Sequence, residues 1–178
     1  RQWKLDIALL RCGNLENDLR TRDFTINAMA LEIDPFGNPN LIDLLGGCQH
    51  LQNEVIEACS STSIIDDPIR ILRAERLAIR FGFSISDLTQ QQMETAINGI
   101  QSISGERQRD EIFKLLILSD ASEGLNHLAE LKLFDQLFPV FDADKIDHVG
   151  KFQHFIAERP NQQIHEYLRS TLNEDRSI

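Results

Sequence analysis

Cysteine is scarce in this chain of 178 residues. Cys12, Cys48 and Cys59 make an odd number, with no C-x-x-C pair and no partnering histidine cluster, so neither a disulfide framework nor a zinc site is expected. No run of about 18 apolar residues occurs, and no basic, apolar, small-residue leader opens the chain. Neither a membrane span nor a signal peptide is therefore expected, and a cytoplasmic location follows. There is no G-x-G-x-x-G, no Walker loop, no G-x-S-x-G, no internal repeat and no low-complexity segment. Positive charge is in short supply too, with 18 Lys+Arg against 28 Asp+Glu for a net charge of −10. Residues 1–80 carry nine basic against twelve acidic side chains, and residues 81–178 nine against sixteen. A protein that holds a polynucleotide by unspecific phosphate neutralisation shows a basic balance, so any nucleic-acid contact here has to be local.

Two further absences narrow the chemistry. The acids Asp142, Asp144 and Asp147 do not form an EF-hand, which needs glycine at its sixth position, where Asp147 stands. His127, His148, His154 and His165 have neither nucleophile nor ligand spacing and read as surface or core residues.

What the chain does have is an apolar fraction of 42%, ample for a core at this length. Residues 3–10 alternate as a strand, with Asp6 a lone acid among apolar neighbours. A strand pattern that begins without a preceding turn gives the expectation that partner strands lie upstream. A short helix fits residues 13–20. The turn formers Asp34-Pro35-Phe36-Gly37-Asn38-Pro39-Asn40 between apolar stretches predict a hairpin. The β portion is expected to end near Gly47. Helical periodicity then takes over at 49–55, 68–82, 87–98, 105–119, 121–132 and 133–138, with Ser104 placed to cap the fourth.

The richest stretch is Asp66-Asp67-Pro68-Ile69-Arg70-Ile71-Leu72-Arg73-Ala74-Glu75-Arg76. Asp66 or Asp67 is placed to cap a helix, and Pro68 suits its first position because the missing N–H costs nothing there. Arg70, Arg73 and Arg76 follow at intervals of three, on the side of the helix that carries Asp67. A carboxylate beside a guanidinium complements the edge of cytosine or adenine, each of which offers an amino donor next to an acceptor; guanine and uracil present the wrong pattern. The same spacing also suits a solvated, salt-bridged helix face with no ligand.

Four stretches in order resemble one family. They are Arg22-Asp23-Phe24-Thr25-Ile26-Asn27-Ala28-Met29, Leu41-Ile42-Asp43-Leu44-Leu45-Gly46-Gly47, the Asp66 to Arg73 stretch, and Glu106-Arg107-Gln108-Arg109-Asp110-Glu111. Together they resemble the class II tRNA nucleotidyltransferases, or CCA-adding enzymes, and the bacterial poly(A) polymerases. The resemblance implies an α+β, mostly α fold. Residues 1–48 would be the remainder of a nucleotidyltransferase β-sheet head, 49–120 a helical, nucleotide-selecting neck, and 121–178 the start of a helical body.

It also implies an enzyme that adds CMP and AMP from CTP and ATP to the tRNA 3′ end without a template. In that family the residues matching Asp67 and Arg70 pair with the base edge. Arg22 would contact the nucleotide, Asp23 the ribose hydroxyl, and Arg73 and Arg76 the base and phosphates, with Asn27, Glu106 and Arg107 in support. In-line nucleotidyl transfer uses two Mg²⁺ ions about 3.5–4 Å apart held by paired carboxylates. The resemblance puts those carboxylates upstream of residue 1, leaving Asp6 as a candidate metal-proximal acid and the chain on its own without the expected activity. A poly(A) polymerase of the same family and a non-catalytic nucleotide- or RNA-binding module are the alternatives.

Overall fold

The computed structural model describes residues 9–10, 13–118 and 120–137; Asp6 with the rest of residues 3–8 of the strand expected at 3–10, and residues 138–178, lie outside them. The chain runs α1 (Leu15–Arg20), β1 (Ala30–Ile33), β2 (Pro39–Ile42), α2 (Gly47–Gln52), β3 (Val55–Ile56), α3 (Ser63–Asp66), α4 (Arg70–Phe81), β4 (Ser84–Ile85), α5 (Asp87–Ala96), α6 (Gly105–Leu116), α7 (Ala121–Glu130) and α8 (Leu133–Leu137). It is an α+β fold, mostly α.

Helix α4 is the centre of the main core. Its apolar side chains Ile71, Leu72, Ala74, Leu77 and Ala78 are buried, at spacings that place them on one broad stripe. They pack against α6, α7 and the β3–β4 pair. Burying one such Leu or Ile contributes about 1.5–3 kcal/mol, so this stripe is what fixes the helix in place. The helix ends at Gly82, whose φ of 70° lies in the left-handed region that glycine enters without a Cβ penalty.

Its start differs from the sequence expectation. Neither Asp66 nor Asp67 caps α4: the Asp66 carboxylate accepts from the Thr62 hydroxyl at 2.9 Å, and that of Asp67 reaches across to Arg107 on α6 at 2.8 Å. The first turn is closed instead by backbone, with the N–H groups of Arg70 and Ile71 donating to the carbonyls of Asp67 and Pro68 at 3.0 and 3.1 Å. Ser104 occupies the cap position of α6, but its hydroxyl makes no capping bond.

The N-terminal part is organised by two aspartates. Asp34 accepts from the N–H groups of Phe36 and Asn38 at 2.9 and 2.8 Å, which folds the hairpin turn. β1 and β2 then pair antiparallel with Leu31 opposite Leu41. Asp43 accepts from the N–H groups of Gly47 and Cys48 at 2.7 and 2.9 Å and so caps α2. Gly47 has no room for a side chain, since a Cβ would lie 2.4 Å from the Thr25 carbonyl oxygen. A small second core gathers Leu19, Ala28 and Cys59. Burial there, with the charge of Asp23, pushes the Cys59 thiol up to about 12.

The β portion does not end near Gly47. β3 and β4 form a parallel pair, Val55 beside Ser84 and Ile56 beside Ile85, and Phe24 bridges Ala58 in antiparallel sense. Among the described residues no helix is long and apolar enough to cross a membrane.

A buried pair joins α4 to α7. Glu75 of α4, buried at 3% exposure, faces the Nδ1 of His127 on α7 at 2.5 Å. Burial raises the Glu75 carboxyl above its usual range against the pull of His127, and the bond to Glu75 raises the His127 imidazole against its own burial. A raised histidine contributes stability that is complete below its unfolded value of 6.5 and is lost as pH climbs through the folded value. Thermal unfolding of the wild type and His127→Gln is expected to differ most in the window between protonation of Glu75 on the acid side and loss of the His127 proton, with the gap closing toward alkaline pH. A gap independent of pH would rule out the charged pair.

Candidate nucleotide site

A cleft of about 700 Å³ opens where the segment after α1 meets the starts of α4 and α6. It is lined by Leu9, Leu10, Asp18, Thr21, Arg22, Asp23, Asn27, Asp67, Arg70, Arg73 and Arg107. Four guanidinium groups face three carboxylates there, so the cleft is locally cationic in a chain that is acidic overall. The backbone of its inner wall is pinned from the far side: the N–H of Thr25 donates to the Glu57 carbonyl at 2.9 Å and that of Cys59 to the Asp23 carbonyl at 3.1 Å.

Asp23 is buried, at 7% exposure, and well supplied with donors. Its Oδ1 accepts from the Phe24 N–H at 2.8 Å and the Asn27 side-chain amide at 3.3 Å; its Oδ2 accepts from Arg73 Nε at 3.0 Å and from Nη2 of the same fork. Burial works to raise its pKa, but the hydrogen bond and charge of Arg73, with Phe24 and Asn27, outweigh that and hold it below the ordinary carboxylate value. All four acceptor positions of the carboxylate are thereby filled.

Arg73 continues the chain of charge to Glu111 on α6, 3.8 Å from its Nη1. Glu111, itself buried, also takes Arg76 Nε at 2.7 Å and Lys114 at 2.6 Å. Desolvation would raise its pKa, but the bonds from Lys114 and Arg76 bring it below the usual range. Arg22 spans Asp18, at 3.1 Å, and the Asn27 carbonyl at 3.3 Å.

Arg70 is not a free arm on a helix face. Its Nη1 donates to the Ser63 hydroxyl at 2.6 Å and to the carbonyls of Ser63 and Arg22 at 3.1 Å each; its Nη2 donates to the Thr21 carbonyl at 2.8 Å.

The structure thus gathers Arg22, Asp23, Asn27, Asp67, Arg70, Arg73 and Arg107 around one cleft. It does not bring Arg76 or Glu106 to the lining: Arg76 is turned to Glu111, and Glu106 is exposed on the outside of α6. Asp18, Thr21, Ser63 and Glu111 are the residues that sequence reasoning did not single out. Glu111 had a signal, four residues after Arg107 and hence on the same face of α6; Ser63, in a helix of four residues, had none.

The fit to a metal is poor. Among the described residues no group of three His, Cys, Asp or Glu side chains could hold an ion, and the cleft carboxylates Asp18, Asp23 and Asp67 are each tied to an arginine.

Removing Arg73 tests the charge chain. Breaking a buried pair from one side costs about 3–5 kcal/mol when both partners are inaccessible, but the Arg73 side chain is 35% exposed and its partner 8%. Arg73→Ala is expected to lose about 2–3 kcal/mol by urea denaturation after that discount. Asp23→Asn in the same background should recover part of the loss, and no recovery would mean that the arginine acts through packing alone.

Two family models match the chain: residues 5–57 match the poly A polymerase head domain, and residues 82–145 the probable RNA and SrmB-binding site of polymerase A. The CC-adding tRNA nucleotidyltransferase of Geobacter sulfurreducens is 40% identical over 116 residues, 65% of this chain and 26% of that protein. The A-adding tRNA nucleotidyltransferase of Deinococcus radiodurans is 33% identical over 161 residues, 87% of this chain and 36% of that protein. Among solved structures, a Thermotoga maritima CCA-adding enzyme complexed with tRNA_CCA superposes with a TM-score of 0.69 at 35% identity, covering 72% of this chain and 32% of that one. The chain therefore spans about a quarter to a third of the length of the curated relatives it matches. With the two models matching residues 5–57 and 82–145, together more than half of the chain, and with relatives 33–40% identical to it, the chain belongs to the tRNA nucleotidyltransferase and poly(A) polymerase family.

Proposed function

We propose that this chain supplies the base- and ribose-recognising part of an enzyme that adds CMP or AMP, from CTP or ATP, to the 3′ end of tRNA without a template. The observation that carries the proposal is the cleft in which Asp67 stands with Arg70 and Arg107 on one wall and Asp23, Asn27 and Arg22 form the other. Arg107 takes Asp67 Oδ2 at 2.8 Å, which assigns Oδ1 to an amino donor. Cytosine and adenine each carry an amino group next to an acceptor nitrogen, so carboxylate and guanidinium together satisfy both. Guanine and uracil would set carbonyl oxygen against carboxylate, leaving a desolvated acceptor unpaired.

On the opposite wall, a ribose hydroxyl that donates to Asp23 takes the place of one existing donor. Asn27, whose bond is the longest at 3.3 Å, is the one assigned to yield. The triphosphate falls to Arg22 and Arg73 as forked cations, with Arg76 and Glu106 assigned to support of α4 and α6 rather than to contact. Magnesium belongs to the proposal through the reaction class, in which a metal steadies the leaving pyrophosphate; no described residue is assigned to hold it. The domain division at residues 48 and 120 and a cytoplasmic location are part of the same proposal.

A poly(A) polymerase is the second reading, favoured by the description of both matched family models. Incubating the intact protein with tRNA lacking one, two or three 3′ nucleotides and with each triphosphate separates the two. Addition of C and A that stops at a completed end supports the first, a run of A the second, and equal use of all four nucleotides removes base reading altogether. Arg70→Lys keeps the charge but loses the planar fork. A charge-assisted hydrogen bond is worth roughly 1.5–3 kcal/mol, so kcat/KM for the correct nucleotide should fall roughly 10- to 100-fold, with discrimination against UTP and GTP falling alongside. Unchanged discrimination in steady-state incorporation would sink the base-reading role.

A further inference from the structure

Ser63 lies outside the motifs that mark the cleft, yet it is 1% exposed and its hydroxyl faces the cleft wall. A buried hydroxyl costs free energy unless it is hydrogen-bonded, and alanine would serve a purely apolar contact. All the hydroxyl's bonds go to groups of the candidate site. It accepts from Arg70 Nη1 at 2.6 Å, and its proton is shared between the carbonyls of Asp23 at 3.0 Å and Arg22 at 3.2 Å. Arg70 reinforces the junction by donating directly to the Arg22 and Thr21 carbonyls. A residue some 40 positions from Arg22 and Asp23 in sequence and seven from Arg70 thus joins two walls of the cleft.

We propose that Ser63 is a positioning residue that couples selection of the base to selection of the sugar, by tying the guanidinium of Arg70 to the backbone from which the Arg22 and Asp23 side chains spring. The inference rests on the reading of this cleft as a nucleotide site. Arg70 has five N–H donors in a rigid fork, and the Nη groups are committed to residues 21, 22 and 63. It therefore cannot turn to meet a base edge without drawing on that backbone. A misfitting base displaces Arg70, the displacement passes through Ser63 to the carbonyls of Arg22 and Asp23, and Asp23 loses its register with the ribose hydroxyl. The Cys59 N–H donates to the same Asp23 carbonyl oxygen at 3.1 Å, so that oxygen is held jointly by Ser63 and Cys59 and loses one of two donors when Ser63 is displaced.

The test uses steady-state incorporation by the intact protein and two ratios: kcat/KM for ATP or CTP over GTP or UTP, and kcat/KM for ATP over dATP. Ser63→Ala is expected to lower both ratios together, roughly 3- to 10-fold each, the scale of one ordinary hydrogen bond and smaller than the loss for Arg70→Lys because Ser63 acts through Arg70 and the backbone. Arg70→Lys should lower both as well. The double variant should lose little beyond Arg70→Lys alone, because residues acting as one unit are not additive. Calorimetric binding of ATP and dATP to Ser63→Ala should show the same narrowing without turnover.

A fall in melting temperature with both ratios unchanged would make Ser63 merely structural and overturn the coupling. So would a lowered base ratio with the sugar ratio intact, or fully additive losses in the double variant. If the wild type itself shows no preference in either ratio, the nucleotide reading of the cleft fails first and takes the coupling with it. That outcome is seen before any Ser63 variant is measured.

Discussion

A chain of alternating charge, Asp23 to Arg73 to Glu111 to Arg76, runs through the point where three parts of the sequence meet. Two of its members are carboxylates nearly closed off from water. Isolated there, each would be expensive to keep ionised; interleaved with guanidinium groups, each is held ionised below its usual range. The arrangement does little that a hydrophobic contact could not do for stability. What it adds is direction, because a forked donor meets a carboxylate in few orientations, so α1's trailing segment, α4 and α6 are fixed in rotation as well as in distance. A site that discriminates between hydrogen-bond patterns needs that kind of constraint.

The division of labour along α4 follows from helix geometry. Successive arginines three residues apart turn by about 300°, so each falls roughly 60° behind the last. Arg70 consequently faces the segment at Thr21 and Arg22, Arg73 faces Asp23, and Arg76 has rotated far enough to meet Glu111 with only 12% of its side chain exposed. One regular spacing therefore yields three different environments. On α6 the same rule separates Glu106 from Arg107, its exposed neighbour on the cleft side.

This drift also explains how much was legible beforehand. The apolar stripes of α4, α6 and α7 are long enough to read as helices, and the motifs that place Arg22, Asp23, Asn27, Asp67, Arg70, Arg73 and Arg107 were visible as residue patterns. The β3–β4 pair was not, because two-residue strands carry no alternation to detect and their pairing joins segments 29 positions apart. The capping role expected of Asp67 failed for a related reason: a partner 40 residues away, Arg107, offers the carboxylate a charge-assisted bond that local sequence cannot announce. Ser63 was invisible on both counts, having a short helix and distant partners.

The thiol of Cys59 turns the small second core into an instrument. With its pKa pushed up to about 12, almost none of it is thiolate at neutral pH, and alkylating reagents attack only the thiolate. Modification must therefore await an opening that lets Cys59 escape both burial and the charge of Asp23. The native protein thus carries its own clock for any transient opening of the small core around Leu19, Ala28 and Cys59, and its tick is a covalent event that mass spectrometry can count.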